Sequence, residues 1–87
     1  MFVRKSKICE VYKAFESPAD YPELYKFIID FYKLNIRAFD ICDKVIQKKF
    51  SYAKVAKFHN LSRVRIGYIY KAQEKEIFPK ILKSFYS

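Results

Sequence analysis

The sequence predicts an all-α domain, on three observations. The chain has 87 residues, room for one domain with one modest core. Glycine occurs once (Gly67) and proline three times (Pro18, Pro22, Pro79), too few turn-formers for strands joined by tight hairpins. Apolar residues instead recur at helical spacing along almost the whole chain. The expected architecture is a small helical domain of about five helices. Half the residues are apolar and a fifth are aromatic, which argues against disorder despite the charge.

Each element follows from its own stripe and punctuation. Ile8, Val11, Tyr12 and Phe15 form the first stripe. Ser17-Pro18-Ala19-Asp20-Tyr21-Pro22 is the clearest break, and Pro22 suits the first turn of a second helix. That helix carries Leu24, Ile28, Phe31 and Tyr32. A break or kink is expected near Leu34-Asn35, the alternative being one helix running on to Lys49. Ala38, Phe39, Cys42, Val45 and Ile46 form the third stripe. Ser51 is an N-cap for Tyr52-Ala53-Lys54-Val55-Ala56-Lys57-Phe58. His59-Asn60 then interrupts, and Asn tolerates the left-handed conformation that ends many helices. Ser62 is a second N-cap, for a helix through about Glu76. Pro79 marks a boundary before a short last helix, whose stripe is Ile77, Ile81, Leu82 and Phe85. Branched and aromatic residues weaken the local helix preference, so tertiary burial must carry most of the stability.

Cys9 and Cys42 are 33 residues apart among apolar neighbours, and His59 is the only histidine. A zinc site needs about four ligands at short spacing, so no metal is expected. The thiols read as two small core-facing side chains in a reduced cytosol; a disulfide would need an oxidising compartment or a hyperthermophilic source. No apolar run approaches the roughly 18 residues that span a bilayer. Met1-Phe2-Val3-Arg4-Lys5-Ser6-Lys7 carries no apolar segment of the secretory type.

The formal net charge is +9, and it is very uneven. Residues 1–15 sum to +3, 16–43 to −3, 44–75 to +8 and 76–87 to +1. The basic stretch holds Lys44, Lys48, Lys49, Lys54, Lys57, Arg63, Arg65, Lys71 and Lys75 against Glu74 alone. Concentrated charge of this kind points to a phosphate backbone. The same stretch has the spacing of a helix-turn-helix. Ala56 gives the small residue a close helix crossing needs, and Asn60 accepts the positive φ of the turn. Val55, Leu61, Ile66 and Ile69 face inward, which leaves the residues between them pointing outward.

Residues 51–71, Ser-Tyr-Ala-Lys-Val-Ala-Lys-Phe-His-Asn-Leu-Ser-Arg-Val-Arg-Ile-Gly-Tyr-Ile-Tyr-Lys, resemble a helix-turn-helix DNA-binding motif. They are similar to region 4 of bacterial sigma factors and its relatives among small regulators and transposase heads. In that family the turn is followed by Ser or Thr, Arg, a variable residue, Arg, then Ile or Val, and Ser62-Arg63-Val64-Arg65-Ile66 reproduces this. Two positions depart. His59 stands where the family has an apolar residue, and it reads as a partly exposed helix-end histidine. Gly67 lies inside the second helix, where it costs about 1 kcal/mol relative to Ala; it either serves close backbone approach to DNA or is a packing accommodation or a tolerated weak spot.

The resemblance implies roles. Ser62, Arg63, Val64, Gly67, Tyr68 and Lys71 would face the base edges, with Arg63 suited to bidentate contact with guanine and Val64 to a thymine methyl. Lys48, Lys49, Ser51, Tyr52, Lys54, Lys57 and Arg65 would meet phosphates. The alternative for these bases is a solvated helix face. Tyr68 and Tyr70 lie about 200° apart on a helix, so Tyr68 is expected outward and Tyr70 inward. Residues 1–87 form one domain in this reading, with 37–76 as the core of the motif and 1–36 and 77–87 flanking it. The expected function is sequence-specific binding of double-stranded DNA by a small transcriptional regulator in the cytoplasm, on the nucleoid.

The acidic middle of the chain carries more apolar residues than one stripe needs: Phe27, Ile28, Phe31, Tyr32, Leu34, Ile36, Phe39 and Ile41. They serve either a homodimer interface or two helices wrapping the core. No phosphate-binding glycine loop, His-Glu-x-x-His pattern or nucleophile–base pairing is present, so neither an enzyme nor a cofactor is expected. Asp40 and Asp43 read as a solvated face. The rival functions are a protein-interaction factor that binds RNA polymerase or another regulator, and a DNA-packaging or recombination accessory protein. Attachment to a membrane surface is disfavoured, because the bases are interleaved with inward-packing residues. The Lys/Ile/Phe/Tyr-rich composition points to an AT-rich genome, viral or plasmid.

Overall fold

The computed structural model describes residues 8–87. Arg4, Lys5 and Lys7 of the N-terminal basic group lie outside them, as does the expectation about a leader. The described residues form α1 (Cys9–Glu16), α2 (Pro22–Phe31), α3 (Ile36–Ile46), α4 (Tyr52–His59), α5 (Arg63–Ala72) and α6 (Phe78–Phe85). A π-helical turn, Gln73–Ile77, joins α5 to α6. The result is an all-α domain of five helical rods, the last of them continuous from Arg63 to Phe85.

Short-range chemistry sets most of the boundaries. Pro22 opens α2, where its missing N–H has no helical partner to lose. The break between α2 and α3 is real: Asn35 caps α3 by accepting the Ala38 N–H through its side chain (3.4 Å). Pro79 is different. The sequence predicts a boundary there, whereas the helix runs through it. The Phe78 N–H reaches the Gln73 carbonyl, five residues back. The widened turn shifts the hydrogen-bond register just ahead of the proline. Pro79 then sits in the first turn of α6, where no N–H is missed.

The core joins all these elements. Phe15 is its hub, with ring centroids 5.6 Å from Phe39, 6.0 Å from Phe78 and 6.2 Å from Tyr25. It thereby ties α1 to α2, α3 and α6. Val11, Ile28, Ile41, Val55, Ile66, Ile81 and Leu82 are fully buried around it. Each such side chain contributes about 1.5–3 kcal/mol relative to exposure. Two polar links cross the core between distant segments. Tyr32 donates to Gln73 Oε1 (2.8 Å), and Tyr12 donates to Glu74. The π turn thus presents consecutive polar residues to two partners.

The cysteines split. Cys42 is fully buried, and burial pushes its thiol up to about 12, so it stays a neutral packing group. Cys9 is exposed on α1, contrary to the core-facing expectation, because the buried face of that helix is taken by Val11, Ala14 and Phe15. Both are free thiols.

Candidate nucleic-acid interface

Three local interactions set the geometry of α4 and α5. Ser51 Oγ accepts the Lys54 N–H (3.2 Å), and Ser62 Oγ accepts the Arg65 N–H (3.1 Å). Between the helices Asn60 takes φ 54°, ψ 42°, the left-handed region expected of it. This turns the chain so that the Leu61 N–H closes on the Ala56 carbonyl (3.0 Å). Val55, Ala56 and Ile66 are buried, and Leu61 and Ile69 pack half-buried against the core. Gly67 lies beneath the Tyr52 ring. A Cβ there would meet Tyr52 Cδ2 and Cε2 at 3.5 Å, ordinary contact, so the packing does not demand glycine.

The side chains left outward are the ones singled out from the sequence. Ser62, Arg63, Val64, Arg65, Tyr68 and Lys71 are exposed. Tyr68 is 73% exposed and Tyr70 only 7%, the division expected from their angular separation. Arg63, Val64, Gly67, Tyr68 and Lys71 line one shallow cleft with Tyr52, of about 320 Å³. Tyr52 itself is half-buried, its ring 6.0 Å from that of Tyr70. Lys48, Lys49, Ser51, Lys54 and Lys57 are exposed along the edge of α4 and the turn before it. Lys49 holds φ 56°, a left-handed conformation that is uncommon for lysine. The capping serines accept with Oγ and keep their O–H free to donate.

Arg65 does not share the cleft of Arg63. It lines a second one, of about 390 Å³, on the other flank of α5 with Asn35, Arg37, Tyr68 and Gln73. Sequence reasoning missed Arg37 as a site residue, because Asp40 and Asp43 separate it from the basic stretch that begins at Lys44. It also missed a brace beneath α4. Phe50 and Phe58 stack with centroids 6.0 Å apart and planes 7° apart. The Lys54 ammonium sits over Phe50 at 4.0 Å and that of Lys44 over Phe58 at 5.0 Å. Alternating Phe and Lys around Ser51 was the available signal.

The electrostatics leave this face strongly cationic. Among the lysines and arginines of residues 44–75, only Lys44 has a carboxylate within 4.0 Å among the described residues, that of Asp40 at 2.6 Å. The one acid of the stretch, Glu74, is engaged by Tyr12 of α1. Burial, then the hydrogen bond to Glu74, pushes the Tyr12 phenol above its ordinary range. Asp40 and Asp43 are not the solvated face expected. Asp40 binds Lys44 and also His59 Nε2 at 2.7 Å, tying the end of α4 to α3. Burial opposes ionisation of Asp40, but Lys44 and then His59 hold its carboxyl below the usual value. Asp43 is partly buried, and its Oδ1 has no hydrogen-bond partner among the described residues. Burial pushes its carboxyl above the usual value, with Lys48 opposing.

The apolar surplus also divides. Ile28, Tyr32 and Ile41 enter the core, and Phe27 and Phe39 are half-buried. Phe31, Leu34 and Ile36 remain exposed, Leu34 at 94%. Among the described residues no helix is long and apolar enough to cross a membrane. Comparison with known proteins found no matching family model, curated protein or solved structure. The molecule is therefore defined by its own features, a small all-α domain with a basic, exposed helix pair.

Proposed function

We propose that this domain binds double-stranded DNA through α4 and α5 acting as a helix-turn-helix of the sigma region 4 kind, as a small transcriptional regulator on the nucleoid. One observation carries the reading. The lysines and arginines of residues 44–75 other than Lys44 have no carboxylate within 4.0 Å among the described residues, and those on α4, α5 and the turn before α4 are exposed. A cationic face of that kind meets its counter-charge on a phosphate backbone, releasing bound cations. Arg63, with its fork of donors, suits guanine O6 and N7, and Val64 and Tyr68 offer apolar contact beside it. Ser62 and Lys71 flank them, and Gly67 lets the backbone approach. Lys48, Lys49, Ser51, Tyr52, Lys54 and Lys57 meet phosphates on the α4 flank.

The exposed apolar residues of α2 and the turn after it, Ile29, Phe31 and Leu34, favour a protein contact as well. The occupant proposed is a second copy of the chain, since two-fold readers use paired half-sites. Selection of random duplexes by the purified protein tests both parts. The expected result is an enriched palindromic site, on which Arg63→Ala costs about 1–3 kcal/mol and relaxes preference at one base. Absence of enrichment, with retention of the protein on RNA polymerase without DNA, would instead favour the interaction-factor reading.

A further inference from the structure

The cleft on the far flank of α5 contains Arg65, expected at a phosphate, but its second arginine, Arg37, has no role in the assignments above. Its lining includes two guanidinium groups from different helices, Arg37 at the start of α3 and Arg65 in the first turn of α5, and no acidic residue. Neither arginine has a carboxylate within 4.0 Å among the described residues. Like charges brought into one cleft without an internal partner call for an anion, and the arginine fork is matched to phosphate oxygens.

The position of the cleft identifies which anion. Tyr68 lines both clefts, so the exposed ridge of α5 carries a basic cleft on either side. A helix with its side chains is about 10–12 Å across, and the major groove of B-DNA is about 12 Å wide. A helix seated there meets a phosphate strand on each flank. The α4 flank has several candidates; the α3 flank has had Arg65 alone. We propose that Arg37 and Arg65 together hold a backbone phosphate of the second strand, so that α3 and α4 grip the duplex from opposite sides of α5. This assignment rests on the duplex-binding reading, and it adds Arg37 as a positioning contact that carries no sequence information.

The test is the salt dependence of duplex affinity for the wild-type chain, Arg37→Ala and Lys83→Ala, the last an equal loss of charge on α6. Arg37 is exposed, so its loss should leave helical content unchanged, and circular dichroism checks this. For Arg37→Ala the slope of log affinity against log salt should shrink by about 0.9. Affinity should fall by the same factor on every duplex, with Lys83→Ala close to wild type. An Arg37→Ala slope equal to that of the wild type, or equal losses in both variants, overturns the assignment while leaving duplex binding intact. A wild-type chain that does not bind duplex overturns both.

Discussion

Gly67 concentrates the relation between stability and recognition in one residue. It stands in mid-helix, where glycine costs about 1 kcal/mol relative to alanine. Yet a methyl group there would touch only the Tyr52 ring, at ordinary distance. The packing therefore does not require glycine, which leaves the proposed close approach to DNA and a tolerated weak spot as the two readings. Gly67→Ala should raise stability by about 0.5–1 kcal/mol, seen in thermal melts, while lowering duplex affinity. Unchanged affinity would assign the glycine to tolerated weakness alone. Residues of this local kind were legible from the sequence. Ser51, Asn60 and Ser62 act on their own backbone within three or four positions, so their caps and the left-handed turn could be read directly. Tyr68 and Tyr70 followed from helical angle. Cys9 did not, because one apolar neighbourhood served two faces of α1.

At the scale of the element, α3 carries two acids with opposite pH behaviour. The Asp40 carboxyl is held below its ordinary value, so its contribution is present at neutral pH and is lost as pH falls through its folded-state pKa. The Asp43 carboxyl is raised by burial, so its charged form costs stability at neutral pH and the cost fades as pH falls through its folded-state pKa. Asp43→Asn should accordingly stabilise the domain modestly near pH 7, with the gain shrinking in acid. Thermal melts from neutral to acid pH measure the difference; a gain that grew as pH fell would contradict the assignment. The Asp40–Lys44 pair has a spacing that the sequence displays, four positions on one helix, but the long-range pairing does not. Asp40 meets His59 across 19 positions, and Tyr12 meets Glu74 across 62, contacts that exist only once the helices pack. The π turn escaped for a related reason. Its register shift satisfies tertiary demands at Gln73 and Glu74, for which composition has no signature.

Across the whole molecule, the folded chain keeps its charges sorted. The basic stretch builds the exposed face of α4 and α5, where only Lys44 is neutralised by a carboxylate. The acidic segment 16–43 supplies Asp40 to the inner side of that unit, and its apolar excess lies partly in the core and partly on the outer face of α2. The all-α class and this charge partition were legible because they are sums over many residues. Arg37 meets the basic face through the α3–α5 packing, whereas in the linear count it is cancelled by Asp40 and Asp43 beside it. The central claim, that the face formed by α4 and α5 receives duplex DNA, is tested most directly by following backbone amide resonances during titration with a duplex. Shifts concentrated at residues 48–71 and at Asn35–Arg37, reversed by added salt, are the expected result. Shifts confined to α2 and α6, or none at all, would contradict it.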